Sequence, residues 1–349
     1  MTQNNQPVTD AICPVCASTE ARLHFETSAE EAAQHFVLKE NHAARHQQLA
    51  EHIRTLWQKD TCAVVQCERC GFTYAHPFVA GDAEYYQLAY LRNQYPAWRW
   101  EFSKTQQLLI SLAGQSAQPL QLLEIGPGDG AFIKQISPAL IPKENVVGIE
   151  YSPKSIESLK KYGITCLTQD VRTLSEKEYA VRFDVICMFQ VLEHMDDLTS
   201  LFRRLSLITK PNAHLFVSVP NDKRVFFNEK NGTLLDMPPN HVGRWNKRSF
   251  EVMSRQFGWR MEQYDVEEES TGEKIKGHLE YRYYRKRQET GSWANRAAVL
   301  RDGPLRTLSQ AFLVGLYAPL MIPSSVELLQ LTQMGTSQWV YLKKGAERA

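Results

Sequence analysis

LLEIGPGDG, Leu122 to Gly130, is an apolar run that ends in an acid and then in three glycines set two residues apart. Such a run reads as a buried strand feeding a tight turn and a helix, where glycine lets backbone amides approach a ligand closely. The arrangement is a site for a nucleotide-bearing cofactor. Two cofactor classes fit the glycines, because Gly126-x-Gly128-x-x-Ala131 also satisfies the loose dinucleotide pattern. Glu124 separates them. Two residues before the first glycine, a carboxylate can face a cationic ligand but is poorly placed beside a pyrophosphate.

Outward from this stretch the chain alternates strand and helix, which is an α/β, doubly wound pattern. Strand one is Leu120 to Ile125, and its helix carries Ala131, Phe132 and Ile136. Strand two, NVVGIE, ends at Glu150 with Tyr151 behind it, where a carboxylate suits ribose hydroxyls of either cofactor. Ser152 is expected to cap the next helix, with Pro153 at its first position and Gly163 as its stop. Strand three, ITCLT, leads to Gln169-Asp170-Val171, where Asp170 is a ligand residue or a turn cap. Strand four, FDVICM, leads to FQVLEHMDDL, and Asp196 and Asp197 place acids at the positive end of a helix. HLFVSVP is a fifth strand ending in Asn221, GWRMEQYDVEE a sixth, and SQWVYLKK, Ser337 to Lys344, an antiparallel seventh.

Glu124 and the glycines spell E-x-G-x-G-x-G, and Val191-Leu192-Glu193-His194 matches a V-L-E-H segment. Here the chain resembles the class I S-adenosylmethionine (SAM) dependent methyltransferases, and among them small-molecule enzymes of quinone biosynthesis and sugar methylation. The resemblance implies a Rossmann-like sheet of seven strands, mostly parallel with the last antiparallel. It implies SAM held by Glu124, Gly126, Gly128, Gly130, Glu150, Tyr151, Asp170, Val171 and Gln190, with Asp170 at the adenine amine. Helices before strand one lid the pocket in similar enzymes, so Tyr86 or Tyr90 is expected on the ligand. Asn221 is a further family feature. PPNHVGRW, Pro238 to Trp245, is similar to a family loop over the acceptor pocket, matched at His241 and Trp245. His241 is the expected general base and His194 the other candidate, because imidazole titrates near operating pH. Glu193 is expected to orient the cofactor or His194.

Cys13-Pro-Val-Cys16 and Cys67-Glu-Arg-Cys70 are two Cys-x-x-Cys knuckles, which together close a structural four-thiolate zinc site. The intervening residues 17–66 exceed the usual ribbon spacing of about 15 to 20, so folded structure must fill the gap. Ser28-x-x-Glu31 reads as a capping box, and Leu49, Ile53, Leu56 and Trp57 recur at helical spacing, which predicts one or two helices over about 28–60. Buried apolar cysteines or a redox pair are the alternatives, and Cys62 competes as fourth ligand. GFTYAHPF reads as the last strand of this module. Tyr85, Tyr86, Tyr90, Tyr95, Trp98, Trp100 and Phe102 follow, and Trp98, Phe102, Leu109 and Leu112 form a helical packing stripe.

The expected organisation is a zinc-ribbon-like module over 1–80, linking helices over 81–115, and a methyltransferase domain over 116–349 with an insertion at about 270–335. With 349 residues, 43% of them hydrophobic, the chain can bury one large domain and smaller modules. A net charge of +1 argues against nucleic acid as a partner, and strand four lacks the N-P-P-Y motif of base methylation. RNA methylation and a non-catalytic scaffold are the competing readings. Within the insertion region, Glu262 to Glu273 holds six acids and no base, whereas Arg282 to Arg306 holds seven bases and two acids. These runs are solvated faces or a wall for an anionic acceptor. AFLVGLYAPLMI is expected to be a buried helix covering the acceptor side, too short to span a bilayer, with a lipid-facing surface as the alternative. The polar start and the cysteine usage point to the cytoplasm. The acceptor and the oligomeric state stay open.

Overall fold

The computed structural model describes residues 6–8, 10–90, 98–231, 237–298 and 303–345, so Tyr95 lies outside the described residues. The first elements are β1 (Pro7–Val8), β2 (Ala21–Ser28), α1 (Ala29–Phe36), α2 (Ala43–Trp57), β3 (Thr61–Cys67), β4 (Thr73–His76), α3 (Ala83–Ala89) and α4 (Trp100–Gln115). Then come β5 (Leu122–Ile125), α5 (Ala131–Ile136), β6 (Val146–Ile149), α6 (Pro153–Tyr162), β7 (Thr165–Leu167), α7 (Glu176–Tyr179), β8 (Phe183–Phe189), α8 (Leu198–Ile208), β9 (Thr209–Pro220) and α9 (Asp222–Lys230). The chain ends with β10 (Gly243–Arg244), α10 (Lys247–Gln256), β11 (Trp259–Val266), α11 (Thr271–Gln288), α12 (Trp293–Ala298), α13 (Pro304–Tyr317), α14 (Ile322–Gln330) and β12 (Ser337–Lys344).

Seven strands form the large sheet in the order β11-β12-β9-β8-β5-β6-β7. β5, β6, β7, β8 and β9 run parallel, and β12 pairs antiparallel with both β9 and β11, as predicted. Parallel strands covered on both faces must be apolar throughout, and all four residues of β5 and of β6 are buried. The strand order reverses between β5 and β8, so their carboxyl ends open the crevice where ligands bind in doubly wound sheets. α6 begins with Pro153 and stops at Gly163, whose φ of +87° is the left-handed stop anticipated from sequence. Ser152, however, makes no side-chain cap. Its N–H donates to Glu150 Oε1 at 2.9 Å, so the carboxylate satisfies the helix start instead.

The second sheet has the order β1-β2-β3-β4-β10. α1 and α2 fill the long connection between β2 and β3, and Ser28 and Glu31 form the expected capping box. β4 is not the last strand of this sheet. β10, from the PPNHVGRW loop, pairs antiparallel with it, placing Gly243 opposite Tyr74 and Arg244 opposite Thr73. Cys13, Cys67, Cys70, Phe72 and Tyr74 accordingly share one hydrophobic core with Ile125, Val217, Trp245 and Phe250. The insertion forms α11 to α14, but its apolar run is not the buried helix expected. In α13 only Leu313 is buried, while Leu305, Leu308 and Phe312 are 76%, 67% and 70% exposed.

Candidate active site and metal centre

The donor end is built where β5 meets α5. Gly126, Gly128 and Gly130 have φ of +71°, +54° and +80°, a region that disfavours side chains. A Cβ at Gly126 would lie 2.6 Å from Val191 Cγ2, so the turn packs directly on the segment leading to His194. Glu150 closes the turn. Its Oε2 accepts from Gly128 N at 2.9 Å, and its Oε1 accepts from Tyr151 N at 2.8 Å and Ser152 N at 2.9 Å. The expected ribose contact therefore falls to a carboxylate that already organises three backbone amides.

Glu124 lies beneath this turn, 2% exposed, and its Oε2 has no partner among the described residues. Burial, and then the charge of Glu150, push its carboxyl up to about 8. A buried carboxylate without compensation favours a positive or donating neighbour, and the sulfonium and ammonium groups of SAM offer both. The donor residues thus fit SAM. Tyr151 is exposed beside them, and Val171 is buried.

Asp170 is committed to its own chain. Burial raises its carboxyl, yet the hydrogen bonds and charge of Arg172 outweigh that and hold it below the ordinary carboxylate range. Oδ1 accepts from Arg172 N at 2.7 Å and Oδ2 from Arg172 Nη2 at 2.6 Å, so the cap is formed. Gln190 has φ +56° at the end of β8, and its Nε2 lies 3.3 Å from Ser337 Oγ and 3.4 Å from Glu101 Oε1. Glu101, 1% exposed on α4, also accepts from Ser218 Oγ at 3.2 Å. This carboxylate at the tips of β8 and β9 was missed. A lone acid among Trp98, Trp100 and Phe102 was its signal.

The acceptor end gathers residues far apart in sequence. His194 and His241 meet with ring centroids 4.6 Å apart at 80°. His194 Nδ1 is 2.7 Å from Asn240 O, and a carbonyl can only accept, so Nδ1 carries a proton and donates it there. Glu193 Oε1 lies 3.9 Å from the other ring nitrogen, Nε2. Glu193, His194 and His241 offer ligand atoms within 4.8 Å of one another, a spacing one divalent ion can bridge. Tyr86 places its hydroxyl 3.3 Å from His194 Nδ1, so the structure sets it with the histidines. Trp245, expected over the acceptor pocket, is fully buried between Phe72 and Phe250 at centroid distances of 4.8 and 4.9 Å. Its indole is a packing group. Asn221 caps α9 through Lys223 N and donates to Gln333 O and Gly335 O, which ties β9 to the segment before β12.

The four knuckle cysteines converge. Cys13 and Cys70 Sγ are 3.6 Å apart, Cys16 and Cys67 3.5 Å, and all four sulfurs lie within 4.8 Å of one another. Thiolates about 2.3 Å from one ion in a tetrahedron are about 3.8 Å apart, so the set fits zinc. Cys62 is excluded, being buried elsewhere with its thiol donating to Ala63 O. The second knuckle is joined to the acceptor loop: Asn246 Nδ2 donates to Gly71 O at 2.6 Å. Arg244 Nη1 pairs with Glu229 Oε1 at 2.7 Å, and Glu229 Oε2 lies 2.7 Å from His24 Nε2 on β2.

Residues 97–264 match the family described as methyltransferase domain. The likeness carried by this segment is to methyltransferase domains. A ubiquinone biosynthesis O-methyltransferase of Marinobacter nauticus is 29% identical over 119 residues, covering 32% of this chain and 47% of the relative. One from Bradyrhizobium sp. is 27% identical over 172 residues, covering 48% and 62%. The chain thus spans about half the length of the relatives it matches. A SAM-dependent methyltransferase from Archaeoglobus fulgidus of known structure is 14% identical with a TM-score of 0.42, covering 70% of this chain and 94% of that one.

Proposed function

We propose that the protein transfers a methyl group from SAM to a hydroxyl or carbon nucleophile of a small-molecule acceptor. The contact between Gly126 and Val191 carries this reading, because it joins the donor turn to the segment bearing His194. SAM supplies a methyl group already activated on its sulfonium. The chain's own work is to align and to move a proton. The glycine amides, Glu124 and Glu150 hold and orient the donor, and alignment of this kind accounts for about 7 to 11 kcal/mol of a barrier. His241, paired with His194, takes the acceptor proton, a role contributing a factor of about 100 to 10,000. Tyr86 and Asn240 keep His194 in place, and Glu193 faces its other ring nitrogen.

Relatives named for ubiquinone biosynthesis favour a hydroxyl on a quinone-like or lipid-linked ring over a sugar. Zinc at Cys13, Cys16, Cys67 and Cys70 is structural in this reading, and the free thiols favour a reducing, cytoplasmic setting. The test is incubation with methyl-labelled SAM and fractionated cell extract, followed by mass identification of the product. Label in a small hydroxylated or lipid-linked ring is the expected result. Label confined to RNA or protein overturns the acceptor class, and no labelled product in any fraction overturns the enzyme.

A further inference from the structure

The insertion presents a face that the methyl-transfer reading leaves unused. On α13, Leu305, Leu308, Phe312 and Leu316 recur at intervals of three and four residues and are all exposed, so they form one outward stripe. The opposite side of the helix is what packs: Leu313 is buried with Tyr283, Ala294 and Ala297, and Val314 and Tyr317 lie against them. α14 repeats the arrangement, with Ile322, Val326 and Leu329 exposed and Leu328 buried against Phe227 and Met334. Two consecutive helices that each turn apolar side chains outward depart from a soluble surface, where such residues stand singly.

The charge pattern indicates what covers this face. Residues 290–298 and 303–326 contain Arg296 and Arg306 and no acid. Trp293, 69% exposed, stands beside the Arg296 guanidinium with a ring distance of 5.7 Å. α11, packed behind, ends in Arg285, Lys286 and Arg287. Apolar side chains rimmed by tryptophan and arginine suit the headgroup boundary of an anionic membrane, where the rings and long cations reach the interface. Neither helix crosses: α13 has 14 residues, which rise about 21 Å against a hydrocarbon core of about 30 Å, and the pair is bent by 81°. A second copy of the chain fits less well. A two-fold contact through this face would bring Arg296 and Arg306 of both copies together, while the acids at its borders, Glu289 and Glu327, are already paired with Lys286 and Lys230.

We propose that α13 and α14 dock in the plane of an anionic lipid surface, with Trp293, Arg296 and Arg306 at the headgroups. The surface is distinct from the histidine pair and the glycine turn, so its binding is measured apart from turnover. The experiment is co-sedimentation of the full chain with phosphatidylcholine vesicles, with and without phosphatidylglycerol. The chain should sediment with the anionic vesicles and remain largely in solution with the neutral ones. Leu308→Ser combined with Phe312→Ser should lower the bound fraction about tenfold, with circular dichroism and SAM binding unchanged. Arg296→Glu combined with Arg306→Glu should abolish the preference for anionic lipid. The proposal is overturned if the wild-type chain ignores both vesicles, or if the serine variant sediments like wild type. It is equally overturned if light scattering shows a dimer that the serine variant dissociates while neither form binds vesicles.

Discussion

The donor end and the acceptor end of the crevice are made in opposite ways. The donor end uses one short run of chain: Glu124, the three glycines and Glu150 lie at the carboxyl ends of two adjacent parallel strands, and a single carboxylate fastens the turn through Gly128, Tyr151 and Ser152. The acceptor end draws Tyr86, Glu193, His194, Asn240 and His241 from three separate segments. One of those segments is then stitched to the cysteine sheet through β10 and Asn246. The difference teaches that cofactor binding can stand on local structure, whereas acceptor geometry depends on a remote module.

The strongest way to break this comparison is to disturb the cysteines. Zinc removal by a chelator, or Cys67→Ser, should abolish turnover, since structural zinc contributes about 10 to 16 kcal/mol of apparent binding free energy to the elements it holds. SAM affinity measured by calorimetry should change only a few-fold. Equal loss of SAM binding would show that the two ends are one unit, and a metal-free protein with full activity would remove zinc altogether.

Next in size is His241→Ala, expected to lower kcat by a factor of about 100 to 10,000 with the dissociation constant of SAM unchanged. His194→Ala should fall in the same range. Unaltered kcat in both variants would leave the pair a packing feature of the loop.

The smallest effect belongs to the donor end and to pH. Folding raises the Glu124 carboxyl from an ordinary value of 4.5 to about 8, so between those values the folded chain holds a proton that the unfolded chain has lost. Stability of the SAM-free protein should therefore fall as pH rises from 5 to 8, because it falls wherever the folded state binds more protons. Glu124→Gln should flatten that slope in thermal unfolding and weaken SAM binding. An identical slope in the variant would assign the pH dependence to another group.

How far the sequence could be read follows the same division. The alternation of strands, the antiparallel β12, the Gly163 stop and the Ser28 capping box are local patterns, and each is formed. The knuckles were legible because thiolate spacing is itself a local constraint. What stayed hidden depends on long-range pairing. Nothing in Pro238 to Trp245 announces that Gly243 and Arg244 will extend the cysteine sheet, so a loop read as lying over the acceptor pocket sends Trp245 into the core. The contact of Tyr86 on α3 with His194 joins residues 108 apart in sequence, which no local pattern announces. In α13 the apolar run reads as a helix, yet apolar composition does not show which neighbour covers it.

The pairing of β10 with β4 also sets an order of events during synthesis. The edge of β4 has no strand to meet until residue 244 has been made, long after both knuckles have left the ribosome. At roughly 5 to 20 residues per second, that interval is on the order of ten to thirty seconds. For that time the nascent module carries an open sheet edge, the feature that invites pairing with other chains. A metal ion seated early at Cys13, Cys16, Cys67 and Cys70 would hold the strands in register while they wait, and metal supply during translation would then bear on yield.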